Sequence, residues 1–143
     1  LLNNALAMQE ALEAGAAEAL MRNYRGELAE CSTSNFFIVR GGQAFTPPLD
    51  AGLLDGVTRN FLFEVGRDVG VPVHEATLWE HDLAAADEAF VTSTSFCICP
   101  VSSVNGSVTG SGAVPGPVTD RLLKAYSGLV GIDIAGQYLS RLE

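Results

Sequence analysis

Three segments of the chain carry residue types that can do chemistry. Glu30-Cys31-Ser32-Thr33-Ser34-Asn35-Phe36-Phe37 takes a carboxylate from the end of one predicted strand, through small hydroxyl residues and an amide, into an aromatic strand. A plain polar loop has the same composition, because Ser, Thr and Asn are ordinary turn residues. Leu53-Leu54-Asp55-Gly56-Val57-Thr58-Arg59 is a glycine turn that opens a predicted helix. Unpaired backbone N–H groups and the helix dipole attract an anion such as phosphate there, and Thr58 can add a hydroxyl; an ordinary helix cap reads the same way. Thr92-Ser93-Thr94-Ser95 sets hydroxyls where the apolar run from Glu88 to Val91 emerges. That chemistry suits phosphate oxygens, and equally a β-rich polar turn.

Helices and strands must position these segments. Leu1, Ala5, Met8 and Leu12 recur at helical spacing and predict a helix with those residues on one face, stopped by Gly15. Runs at 16–22 and 27–30 flank a turn over 23–26, and 36–40 and 43–46 repeat the design around Gly41-Gly42. Val57, Phe61, Val65 and Val69 mark an amphipathic helix ended by Gly70 and Pro72. Beyond it, 71–78 reads as a strand, Thr77 and Glu80 as a capping box for a short helix through Ala86, and 89–94 as a strand. The stretch 97–104 turns at Asn105-Gly106 into 107–109, and a last helix runs from Pro117 to about Gly131. Strands in the middle, flanked by helices, make an α/β or α+β sandwich.

Composition narrows the function classes. The 143 residues suffice for one domain with a real core. Charged residues are 17% against about 25% in an average chain, so more apolar surface exists than a small domain hides, and part of it is expected to meet another domain or subunit. A net charge of −9 without clustered bases argues against nucleic acid. Residues 89–119 carry no charge, but Pro100, Asn105, Gly106, Gly110, Gly112 and Pro115 break the stretch too often for a membrane span. Cys31, Cys97 and Cys99 lack the spacing of a disulfide framework or a zinc site, so a cytoplasmic location and no metal are expected, with Cys97 and Cys99 as packing residues. His74 and His81 have no motif partner, and the acidic run of Glu80, Asp82, Asp87 and Glu88 is expected to face solvent.

In order and spacing the three segments resemble the class IV, or fold type IV, aminotransferases, which include branched-chain and D-amino-acid aminotransferases and aminodeoxychorismate lyase. The matching residues are Glu30, Asn35, Phe36-Phe37, Thr46-Pro47 and the segment from Leu54 to Arg59. Ala44 is smaller than the aliphatic residue usual two positions before that Thr. The likeness continues through 86–90, 92–95, 99–101 and 115–119 and so covers nearly the whole chain.

The resemblance implies pyridoxal 5'-phosphate as cofactor and transamination between an amino acid and a 2-oxo acid by a ping-pong route, with a lyase-like elimination as the enzymatic alternative. It gives Glu30 the pyridine nitrogen, keeping it protonated, and Val57 and Thr58, after Gly56, the phosphate through backbone N–H groups. Thr94, with Ser93 and Ser95, adds hydroxyls, Leu54 packs on the ring face, and Ser34 and Asn35 shape the pocket near Glu30. The Thr-Ser-Thr-Ser run leans toward the D-amino-acid enzymes. The family's cofactor-linking lysine belongs a few residues before the segment matched by Leu1-Leu2-Asn3-Asn4, so the chain, whose only lysine is Lys124, is expected to be the large C-terminal domain alone. By itself it is expected to be inactive, a fragment without the N-terminal small domain. The alternative of another class is a truncated module that holds the cofactor weakly without turnover. A homodimer is expected for the whole enzyme.

Overall fold

The computed structural model describes residues 2–140. Its centre is a five-stranded mixed sheet in the order β5-β4-β3-β6-β7, with β5 Val73–Glu75, β4 Gln43–Thr46, β3 Asn35–Arg40, β6 Glu88–Ser93 and β7 Cys97–Val101. Only the β4–β5 pair is parallel. A hairpin of β1 Leu20–Arg22 and β2 Leu28–Cys31 stands beside the sheet, and β8 Ser103–Val104 with β9 Ser107–Val108 forms a second small hairpin.

Strand β3 explains the layering. Its apolar residues are continuous rather than alternating, which suits a strand covered on both faces. Phe37 and Val39 join Leu62 and Val65 of helix α2 (Val57–Asp68) and Leu122 of helix α4 (Pro117–Val130) in one core. Phe36 and Ile38 join Leu28, Leu78 and Ala86 in a second core on the opposite face. Phe37 stacks on Phe90, its register partner in β6, at 4.7 Å between ring centres. The α/β architecture read from the sequence is the one observed.

Several local expectations need correction. Helix α1 (Leu2–Glu13) forms, but Asn4, Ala7, Met8 and Ala11 face inward while Leu12 is 60% exposed, so the inward face is rotated from the expected one; Leu1 lies outside the described residues. The strand expected over 71–78 is only Val73–Glu75, because Val71 N–H bonds Gly66 O and Leu78 O accepts from Leu28 N–H, outside the β4–β5 ladder. Helix α3 (Glu80–Ala84) is capped by Asp82, which accepts from Trp79 N–H at 2.8 Å, and not by a box from Thr77 to Glu80. Helix α5 (Ile134–Leu139), capped by Asp133, was not expected.

Of the acidic run, Glu80 and Asp87 are exposed as expected, and Glu80 pairs with Arg22 at 2.9 Å. Asp87 accepts from Gly41 N–H at 2.8 Å. Glu88, expected in solvent, is buried, with its two oxygens accepting Val118 N–H and Thr119 N–H at 2.8 Å each. That carboxylate serves the start of α4 from a neighbouring strand. Cys97 packs against the first core, but Cys99 is exposed and packs on neither.

Candidate functional site

Glu30 is the next-to-last residue of β2, and the loop after Cys31 reverses into β3. The loop is held by Glu18, which accepts from the hydroxyls of Ser32, Thr33 and Ser34, the last at 3.1 Å. The Ser34 hydroxyl, expected to help shape the pocket near Glu30, thus donates to Glu18. Nothing near Glu18 in the sequence marks it, since its partners lie 14 to 16 residues away.

Asn35 is the hinge of the site. Its amide donates to Leu54 O at 2.9 Å and to Glu30 Oε2 at 3.3 Å, while Leu54 N–H donates to the same Oε2 at 2.9 Å. One carboxylate oxygen of Glu30 is thus fixed by two donors, and Oε1 accepts no hydrogen bond among the described residues. Gly56 packs so closely over Asn35 that an added Cβ would fall 2.0 Å from Asn35 Oδ1. Its φ of −73° suits any residue, so close approach and not backbone conformation requires the glycine.

Helix α2 begins immediately after that contact. Gly56 makes no side-chain cap, which leaves the first-turn N–H groups of Val57 and Thr58 for another acceptor. The Thr58 hydroxyl, expected to face an anion, instead donates to Ser93 O at 3.2 Å and ties the helix start to the end of β6. Ser93 and Ser95 hydroxyls bond each other at 2.8 Å, whereas the exposed Thr94 side chain bonds nothing among the described residues. Tyr138 of α5 donates to Ser95 O. Leu54 and Val57, 72% and 73% exposed, supply apolar surface between these polar groups.

Below the helix start lies Arg59, 1% exposed, which donates to Pro47 O at 2.9 Å, pairs with Glu75 and sits under the Phe63 ring. It anchors the first turn of α2 to the end of β4, a role that the basic residue of the motif did not announce.

Glu30, Asn35, Leu54, Gly56, Val57, Thr58 and Ser93 to Ser95 thus form one connected shelf; of the expected residues only Ser34 is drawn elsewhere. Its donor set fits a phosphate at the α2 start, flanked by Thr94, and a protonated ring nitrogen at the unpartnered Glu30 oxygen. Two concavities lie elsewhere, one between α3 and β8–β9 and one at the α4–α5 corner.

Comparison with known proteins gives the shelf its context. A family model described as amino-transferase class IV matches residues 1–104. A branched-chain-amino-acid aminotransferase of Pseudomonas aeruginosa is 40% identical over 129 residues, 90% of this chain and 41% of the relative. Among solved structures, the branched-chain amino acid aminotransferase of Escherichia coli superposes with a TM-score of 0.86 at 36% identity, covering 90% of this chain and 43% of that one. An aminotransferase from Brucella abortus bound to the cofactor PLP gives 0.81 at 36% identity, covering 89% and 44%. The chain therefore spans about two fifths of the length of these relatives. A match over most of the chain, together with this fold and this order of residues, places the chain in the class IV aminotransferase family.

Proposed function

We propose that this chain is the large, C-terminal, cofactor-holding domain of a pyridoxal-phosphate-dependent aminotransferase, which exchanges an amino group between an amino acid and a 2-oxo acid. The observation that carries the reading is the carboxylate of Glu30, with one oxygen fixed by Leu54 N–H and the Asn35 amide and the other without a partner among the described residues. When bound, pyridoxal phosphate supplies an electron sink for a carbanion at the substrate carbon. Glu30 holds a proton at the ring nitrogen and so keeps that sink effective. Val57 and Thr58 N–H groups with the Thr94 hydroxyl hold the phosphate, and Leu54 covers a ring face.

The Pseudomonas aeruginosa and Escherichia coli relatives are branched-chain enzymes by name, so a branched-chain amino acid is the substrate class we infer. This outweighs the lean toward D-amino-acid enzymes drawn from the Thr-Ser-Thr-Ser run. We further propose that the lysine that links the cofactor and a small N-terminal domain lie outside residues 1–143, in keeping with the two fifths of the relatives' length that this chain spans. We infer a homodimer, in keeping with the exposed apolar side chains, and a cytoplasmic location, in keeping with three free cysteines. Among the described residues no helix is long and apolar enough to cross a membrane.

The test is Glu30→Gln in the full-length protein. The amide preserves shape but cannot hold the ring-nitrogen proton, so turnover should fall about 100-fold or more, the scale of removing a positioned electrostatic group. Cofactor affinity should change by less than about tenfold, the scale of one hydrogen bond to a charged group. Unchanged turnover would show that Glu30 does not meet the ring.

A further inference from the structure

We infer that Tyr138, on the short helix α5, is a positioning residue that sets cofactor affinity by clamping the Ser93–Ser95 turn. The inference rests on the reading that this turn meets the cofactor phosphate.

Thr94 is flanked by two backbone carbonyls, and each accepts a hydroxyl from a different helix. Ser93 O takes the Thr58 hydroxyl of α2 at 3.2 Å, and Ser95 O takes the Tyr138 hydroxyl of α5. Within the turn, Ser95 N–H donates to Ser93 Oγ at 3.3 Å, and the two serine hydroxyls bond each other at 2.8 Å. These bonds leave Thr94 as the member whose hydroxyl is uncommitted. The turn is therefore held from both sides, with its donor presented beside the free N–H groups of α2.

Helix α5 is built to deliver that contact. Only Ile134, 5% exposed, is buried in it, entering the core beside Leu122 and Leu123. Asp133 accepts Gly136 N–H at 3.0 Å, and Ser127 Oγ accepts Ile134 N–H at 3.3 Å, so the helix is fixed at its start on α4. Tyr138 stands one turn later, 43 residues from Ser95 in sequence, and joins the C-terminal helix to the site. Tyr138 is 40% exposed and belongs to neither core, so the hydroxyl contact and not core packing accounts for its place.

The experiment uses the full-length protein stripped of cofactor, with affinity measured for pyridoxal phosphate and for inorganic phosphate. Tyr138→Phe keeps the ring and removes the donor, and should weaken both ligands about fivefold, the factor of one net hydrogen bond. Its melting temperature should stay at that of the parent. Leu139→Ala, on the same helix and 64% exposed, should leave both affinities unchanged. In a Thr94→Val background the Tyr138→Phe effect should vanish, because positioning a turn without its hydroxyl gains nothing. If Thr94→Val weakens phosphate while Tyr138→Phe does not, or if the two effects simply add, the inference fails and the cofactor reading stands. If Thr94→Val changes neither affinity, the cofactor reading of the turn itself falls.

Discussion

Gly56 shows how a single residue without a side chain can decide the geometry of a charged one. With a Cβ only 2.0 Å from Asn35 Oδ1, the amide must move, and with it the bonds to Leu54 O and Glu30. Gly56→Ala should therefore cost about 1–3 kcal/mol in urea unfolding, the usual scale of overpacking. It should also weaken cofactor binding in the full-length protein. Combined with Asn35→Ala, which removes the clashing atom, the pair should be less destabilised than the sum of the single variants. Cys31 makes a different residue-level case. Burial, then the charge of Glu18, pushes its thiol from 9.0 up to about 12. The unfolded chain thus releases this proton first as pH rises, and the contribution of Cys31 to stability is complete below about pH 9 and is lost between about 9 and 12. The slope of urea midpoint against pH in that window should flatten in Cys31→Ala, and in the native protein at pH 8 a thiol reagent should label exposed Cys99 well before buried Cys31. At this scale the sequence was legible where the arrangement is local. Glu30, Gly56 and Thr94 belong to short ordered motifs, whereas Glu18 and Tyr138 act through partners that only the folded chain brings near.

Helix starts in this chain are served from unequal sources. The first turn of α2 has no side-chain cap, while α4 has the buried carboxylate of Glu88 across two N–H groups. Gly116 makes room for it, since a Cβ there would lie 2.2 Å from Glu88 Cδ. Glu88→Gln replaces one acceptor with a donor facing an N–H and removes the charge at the helix start, so it should destabilise the fold by about 1–3 kcal/mol. The measurement is the urea midpoint, with Glu80→Gln at an exposed position as a variant that should stay within about 0.5 kcal/mol. Element boundaries marked by Gly or Pro, such as Gly41-Gly42, Gly70 and Pro117, were readable because those residues restrict the backbone itself. Strand β5 was overread, since an extended apolar run does not say which of its groups enter the ladder. Helix α5 was missed because it is six residues long, contains Gly136 and buries only Ile134, so it carries no amphipathic period.

The described residues form a sheet covered on both faces, with the candidate shelf at the ends of its inner strands β3 and β6. The unbroken apolar run of β3 fits coverage on both faces, which the sequence itself conveyed only as an α/β layering, and the rotation of α1 was hidden because its alanine-rich composition offers several nearly equal faces. On the proposed reading the shelf offers an acceptor for a ring nitrogen and donors for a phosphate, and among the described residues no lysine lies on it. Lys124 is the only lysine; its ammonium, 76% exposed, bonds Asp120 at 2.7 Å on α4 and lies at the α4–α5 concavity rather than on the shelf. Incubated with pyridoxal phosphate and then borohydride, the chain alone should retain no cofactor beyond slow, unsaturable labelling of Lys124. The longer protein should fix one cofactor per chain at a lysine outside residues 1–143. Peptide mapping separates the two, and stoichiometric labelling of Lys124, competed by inorganic phosphate, would overturn the division of labour between this domain and the rest. Under the proposed function, Glu30, Val57, Thr58 and Thr94 bind the cofactor's ring and phosphate, and its carbonyl is captured by a residue outside this shelf.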